Sequence, residues 1–266
     1  VKEIPFSSQT KSMTVLARNN RNCYYSNENI LNFTKGNPGK VIDRCSYLLK
    51  GGKVIEMSAE DKADILAFND EMASKGYRLL AVAYCEQADD HEVVMEDFIL
   101  LGLTVMYDPP KEGVSEAVAE CYKAGIKVTV VTGDYSLTAA AIAKQIGIIQ
   151  DDYVAITVQE LEQMTSQQLA EKINTDLPVI FARTTPADKL KIVEAYQSIG
   201  HVVASTGDGL NDVLALRKAD IGISMGENGS DAAIESSDIV LLDDNFVTIV
   251  EAVKEGRAIN NNIQKF

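Results

Sequence analysis

Val202-Val-Ala-Ser-Thr-Gly-Asp-Gly-Leu-Asn-Asp212-Val-Leu-Ala-Leu-Arg-Lys218 is the stretch on which the reading of this chain turns. A short buried run, Val202 to Ser205, predicts a strand, and Asp212 to Lys218 predicts a helix. Between them Thr206 to Asp212 forms a polar loop rich in glycine and carboxylates. The same rhythm occurs twice upstream. Ile126 to Val131 and Ala139 to Ile146 flank Thr132-Gly133-Asp134. Val179 to Ala182 and Asp188 to Ser198 flank Thr184-Thr185-Pro186-Ala187-Asp188-Lys189. Short strands alternating with helices predict a parallel, doubly wound α/β sheet. The runs Ile221 to Met225 and Ile239 to Leu242 are expected to add strands at one side of that sheet.

Ligands of open parallel sheets bind at the carboxyl ends of the strands, where these three loops fall. Hydroxyl and ammonium groups hold phosphoryl oxygens, while hard carboxylates hold a hard cation, so the set predicts a phosphate and magnesium site. Gly207 and Gly209 let backbone N–H groups approach a phosphate closely. Asp208 and Asp212, four residues apart, can face one ion from the loop and the first helical turn, and a bound dication would offset their repulsion.

The first hundred residues have another pattern. Met13 to Ala17, Ile30 to Thr34, Leu79 to Tyr84 and Phe98 to Val105 are apolar or β-branched runs separated by polar turns, which predicts an antiparallel sheet. Ser58-Ala-Glu-Asp61 has the form of a capping box. Ile65, Leu66, Phe68 and Met72 follow at helical spacing, so one helix is expected on that sheet. Asp108-Pro109-Pro110 marks the boundary, because prolines cannot donate to a ladder.

With 266 residues the chain can hold two domains. Its 39 acidic and 25 basic residues give a net charge of -14, which repels nucleic acid and anionic lipid and favours a small multivalent cation. No apolar run reaches the length needed to span a bilayer. Cys23, Cys45, Cys85 and Cys121 lack metal or disulfide spacing and read as reduced thiols. His91 and His201 read as structural residues at strand edges. The opening Val1, already strand-like and without an initiator Met, suggests a piece of a longer protein.

The ordered set Thr132-Gly-Asp134, Thr185-Pro-x-x-Lys189 and Thr206-Gly-Asp-Gly-x-Asn-Asp212 resembles the phosphorylation-domain motifs of P-type ATPases, members of the haloacid dehalogenase superfamily. Asp108-Pro-Pro110, Ala124-Gly-Ile-Lys127 and the stretch Lys218 to Phe246 resemble the type II group, the sodium/potassium and calcium pumps. In the first half, Phe6 with Lys11, Lys35-Gly36 and Arg78 resemble the family's nucleotide-binding residues. The resemblance covers nearly the whole chain.

That resemblance implies an α+β nucleotide-binding domain with an antiparallel sheet over residues 1–106, truncated at its N-terminus. It implies a Rossmann-like haloacid dehalogenase-type parallel sheet domain over residues 107–256, incomplete at its N-terminal strand, and the start of a stalk helix over residues 257–266. Phe6 would stack on adenine, Lys11 and Lys35 line the pocket, and Arg78 reach the phosphates. Asp208 would ligate Mg2+ with support from Asp212. Thr132, Lys189 and Asn211 would hold the phosphoryl group, Asp134 would sit where the nucleotide and phosphoryl sites meet, and Gly133 between Thr132 and Asp134 would belong to the same catalytic set. The implied partners are ATP, a transported cation and a membrane, at whose cytoplasmic face the chain would work.

Two departures stand out. The family's Lys-Gly-Ala-Pro-Glu is replaced by Lys35-Gly36-Asn37-Pro38-Gly39, and Asp-Lys-Thr-Gly-Thr, which bears the nucleophilic aspartate, occurs nowhere. The chain alone is therefore expected to bind nucleotide without turnover. A soluble phosphatase of the superfamily would share the three loops but would need its own Asp-x-Asp. A nucleotide sensor would explain the missing nucleophile. Asp243-Asp244 resembles a further family motif, to which the sequence assigns no catalytic role.

Overall fold

The computed structural model describes residues 2–7, 10–18, 30–87, 93–133, 135–150 and 152–265. Cys23, His91 and Asp134 lie outside the described residues. The chain divides into two compact units, Val1–Asp108 and Pro109–Phe266.

The first unit contains β1 (Lys2–Ile4), β2 (Ser12–Arg18), β3 (Ile30–Gly36), α1 (Pro38–Ile42), β4 (Cys45–Lys50), β5 (Lys53–Glu56), α2 (Ala59–Ser74), β6 (Arg78–Gln87) and β7 (Phe98–Met106). They form one seven-stranded sheet in the order β1-β2-β3-β6-β7-β4-β5. The expectation of an antiparallel sheet needs one correction: β4 runs parallel to β7, because the chain returns through α2 and β6 before reaching β7. The other pairings are antiparallel.

Alternation along the strands defines two faces. Ala81, Ala83, Cys85 and Phe98 point into a core closed by Val41 and Ile42 of α1 and by Ile65 and Leu66 of α2. Helix α2 starts at the expected capping box, with the Asp61 N–H donating to Ser58 Oγ at 3.0 Å and the Ser58 N–H to Asp61 Oδ2 at 3.0 Å. Phe68, although in register with Ile65, remains 44% exposed.

The second unit contains α3 (Val114–Lys123), β8 (Val130–Thr132), α4 (Ser136–Gln145), β9 (Val154–Thr157), α5 (Val158–Gln163), α6 (Ser166–Ile173), β10 (Val179–Ala182) and α7 (Pro186–Ser198). It continues with β11 (Ala204–Gly207), α8 (Val213–Lys218), β12 (Ile221–Met225), α9 (Asp231–Ile234), β13 (Ile239–Leu241) and α10 (Phe246–Gln264). Strand β10 is buried on both sides, as its unbroken apolar run requires. Val179 and Phe181 pack with Leu161, Leu169 and Ile192, while Ile180 packs with Val118, Ala139 and Ala143.

All pairings here are parallel, but they do not form one sheet. Strands β8-β10-β9 make one three-stranded sheet and β11-β12-β13 another. This corrects the expectation of a single sheet. Among the described residues strands β8 and β11 each pair on one side only, and β11, with the small polar sequence Ala-Ser-Thr-Gly, alternates between exposed and half-buried residues. Residues 126–129, expected in the strand, precede its three-residue ladder. Helix α10 runs unbroken through position 257.

Candidate functional site

In the second unit the loop ends are tied to one another by backbone and capping bonds. The Thr132 carbonyl accepts from the Thr184 N–H at 3.0 Å and from Thr184 Oγ1 at 3.1 Å, continuing the β8–β10 ladder into the loops. Gly133 follows on the exposed surface. Thr185 caps α7: its N–H and hydroxyl donate to Asp188 Oδ2 at 2.8 and 2.7 Å, and the Asp188 N–H returns to Thr185 Oγ1. Thr185 and Asp188 therefore start a helix, and Pro186 suits its first turn. The residue presented by that turn is Lys189.

Lys189 Nζ forms an ion pair with Asp212 Oδ1. The second oxygen, Asp212 Oδ2, accepts the backbone N–H groups of Asp208 and Gly209, each at 3.3 Å. Asp212 is 5% exposed, so this buried carboxylate is committed to a cation and a loop rather than left open to solvent. Asp208 is exposed, as are Thr206 and Asn211. Its carbonyl accepts from the Ser230 N–H at 2.7 Å, which joins the loop to the start of α9.

Gly207 has a local reason that the sequence did not disclose. A Cβ there would fall 2.3 Å from Asp212 Cβ, so the bare backbone makes room for the Asp212 side chain. At Gly209 the nearest atoms to an added Cβ are 3.9 Å away. Arg183 was also missed: it adopts φ +61°, unusual for a non-glycine, with its guanidinium 4.9 Å from the centre of the Tyr135 ring. No spacing in the sequence signals that pair. The Asp243-Asp244 turn also carries more bonds than a solvated turn would.

In the first unit, Met13 pairs with Lys35, and Lys35 with Val82. Arg78 lies four residues before Val82 on the same strand. Lys35 and Arg78 therefore share the sheet face opposite α1 and α2, and both are exposed. The β1–β2 loop carries Phe6, 63% exposed, and is tied to the end of β3. The Lys11 N–H donates to the Ser7 carbonyl at 2.8 Å, and the Lys11 carbonyl accepts from the Asn37 N–H at 2.9 Å. Lys11 sits at φ +51°. A Cβ on Gly36 would come within 2.4 Å of the Lys11 carbonyl oxygen, so glycine is required for this approach. Asn37 and Pro38 continue directly into α1 as its cap and first residue.

Among the described residues no three His, Cys, Asp or Glu side chains cluster as a metal cage. The exposed Asp208 carboxylate fits the other mode of magnesium binding, in which one or two carboxylates act together with water and substrate phosphates.

Residues 1–113 match the family model described as "P-type ATPase, cytoplasmic domain N". A calcium-transporting ATPase of Listeria monocytogenes is 41% identical over 267 residues, covering 99% of this chain and 29% of that protein. A calcium-transporting ATPase of Bacillus subtilis is 40% identical over 270 residues, covering 100% and 29%. The sodium/potassium-transporting ATPase subunit alpha-2 of Homo sapiens is 38% identical over 304 residues, covering 100% and 29%. The chain thus spans less than a third of the length of these relatives. No helix among the described residues is long and apolar enough to cross a membrane.

Proposed function

Starting from the whole-chain similarity to cation-transporting ATPases and the match of the first unit to their cytoplasmic domain N, we propose that this chain is the ATP-handling head of a P-type cation pump. In this reading residues 1–106 bind nucleotide, residues 107–256 are a phosphorylation domain of haloacid dehalogenase type, and residues 257–266 begin a stalk helix. The head would work at the cytoplasmic face of a membrane whose spanning helices, and the cation path through them, lie outside these residues.

The observation that carries the nucleotide site is the tie between the β1–β2 loop, which carries the exposed Phe6, and the end of β3, whose Lys35 shares a sheet face with Arg78. An exposed ring offers a stacking surface to a purine, and cations beside it suit a triphosphate. In the second unit, Lys189 would face the transferred phosphoryl group from the first turn of α7, its position set by Asp212. Thr132 and Asn211 would hold phosphoryl oxygens. Asp134 would meet the nucleotide, and Gly133 and Gly209 would leave the approach open.

Asp208 would ligate Mg2+, with Asp212 supporting the loop. The ion supplies charge neutralisation for the phosphoryl oxygens. The attacking carboxylate belongs to a segment outside this chain, and the one-sided pairing of β8 and β11 supports a strand from that segment between the two sheets.

Titration calorimetry of the chain with ATP tests the nucleotide site. Stacking on an aromatic ring is worth roughly 1 to 3 kcal/mol, so Phe6→Ala is expected to weaken binding about tenfold, and Lys35→Ala to weaken it further for ATP than for adenosine. Equal affinity of wild type and Phe6→Ala would remove Phe6 from the site. In the chain alone, γ-labelled ATP and magnesium should leave no acid-stable acyl phosphate.

A further inference from the structure

Asp244, at φ +49° between β13 and α10, directs its carboxylate at the β12–α9 loop. Oδ1 accepts the N–H groups of Gly226 at 2.7 Å and Glu227 at 3.1 Å. Oδ2 accepts the N–H of Asn228 at 2.9 Å and its side-chain Nδ2 at 2.7 Å. Burial alone would raise its pKa, but these four donors outweigh it and hold the carboxyl below the usual range. The loop has no slack: a Cβ on Gly229 would sit 1.9 Å from the Met225 carbonyl oxygen, and one on Gly226 would sit 2.8 Å from that of Leu241. Two residues after Asn228, the Ser230 N–H grips the Asp208 carbonyl at 2.7 Å. On the other side Lys111 Nζ donates to the Asp244 carbonyl at 2.9 Å.

We propose that Asp244 is a positioning residue for the Asp208 loop, fixing residues 226–228 so that Ser230 holds the backbone of Asp208 in place. Its neighbour Asp243 serves a separate purpose. It accepts Thr248 Oγ1 at 2.6 Å and the Asn245 N–H at 3.2 Å, bonds that start α10 and touch nothing in the 226–230 loop. The consequence for magnesium rests on the reading of Asp208 as its ligand; the positioning itself does not. Partners that hold a ligating carboxylate's surroundings in place affect metal affinity strongly when removed.

The test uses two substitutions compatible with a positive φ, Asp244→Asn and Asp244→Gly, with Asp243→Ala as the control on the same turn. Asn keeps the shape but turns an NH2 group toward backbone donors, and Gly removes the carboxylate without straining the turn. In the full-length protein that carries this chain, hydrogen exchange is measured at the amides of residues 208–212 and Ser230. Both Asp244 variants are expected to exchange there at least about tenfold faster than wild type, with Asp243→Ala unchanged. The magnesium concentration giving half-maximal phosphorylation by ATP should rise about tenfold in the same two variants while ATP affinity stays constant. Unchanged exchange in Asp244→Gly, or equal acceleration in Asp243→Ala, overturns the positioning role. Accelerated exchange in a protein whose wild type forms no magnesium-dependent phosphoenzyme upholds it and instead removes the pump reading.

Discussion

Lys189 in the first turn of α7 and Asp212 at the start of α8 form an ion pair that locks together the loops following β10 and β11. The lysine side chain is 20% exposed and the aspartate side chain 7%, so each depends on the other for the charge it carries away from water. Asp212→Ala also strips two amides of their acceptor. It is expected to destabilise the second unit by about 3 kcal/mol, the lower end for a broken buried pair because Lys189 keeps some water. Lys189→Met, which retains the apolar stem, should cost about half as much. Urea denaturation at pH 7 checks both, and an Asp212→Ala protein as stable as wild type would mean that the pair contributes nothing.

Gly207 and Gly209 separate packing from chemistry. Gly207→Ala would drive a Cβ into Asp212 and should lower stability by about 2 kcal/mol or more, with the Lys189 pair disrupted as a result. Gly209→Ala meets no atom closer than 3.9 Å and should leave the melting temperature within a degree or two. If Gly209 keeps the phosphate approach open, Gly209→Ala still lowers phosphorylation in the full-length protein. Equal loss of stability in the two variants would contradict this division.

Most strands and the three loops were legible because their signals are local: buried runs such as Val179–Ala182, a capping box at Ser58, and glycine beside paired carboxylates. The strands Cys45–Lys50, Lys53–Glu56 and Val154–Thr157 were not foreseen. Register and parentage were not. Nothing in the run Cys45–Lys50 tells that it pairs parallel to Phe98–Met106, since a half-buried strand has the same alternation in either direction. The split between β8 and β11 depends on long-range pairing, which periodicity does not encode. Glycine types in a loop announce freedom of backbone but not its use, so Gly207 read as room for phosphate when its neighbour is the side chain of Asp212. The sequence assigned Asp244 no role because its four donors come from residues 226–228, sixteen to eighteen positions earlier.

Cys45 and Cys85, buried under the first unit's sheet, give a pH signature. Burial is the main cause that pushes both thiols from 9.0 up to about 11; the Lys62 charge opposes it for Cys45 and the Asn32 bond for Cys85. A folded-state pKa above the unfolded one means that the stabilisation is fully present below pH 9 and is lost as pH rises toward 11. The first unit should therefore weaken between those values, and Cys45→Ala with Cys85→Ala should flatten the slope while lowering the plateau through lost packing. At pH 8 neither thiol should react with an alkylating reagent until the unit unfolds. Rapid native labelling of Cys85 would contradict the burial that underlies the shift.

The last prediction concerns Asp208 in the full-length protein. Its side chain is exposed on a loop whose backbone is fixed by Asp212 and Ser230, so Asp208→Asn should leave the fold intact. The substitution preserves shape but removes one negative charge facing a dication, and an amide oxygen is a weaker ligand for a hard ion. Stabilisation of the phosphoryl transition state should suffer far more than nucleotide affinity, because in the proposed function adenine would be held by the first unit. Phosphoenzyme formation is expected to fall by at least about a hundredfold, with ATP affinity within about twofold of wild type. The two quantities are measured side by side across a range of magnesium concentrations. Normal phosphorylation throughout that range would remove Asp208 from the metal site. Loss of both phosphorylation and ATP binding, with an unchanged melting temperature, would mean that nucleotide affinity depends on the second unit and would overturn the division of labour between the two.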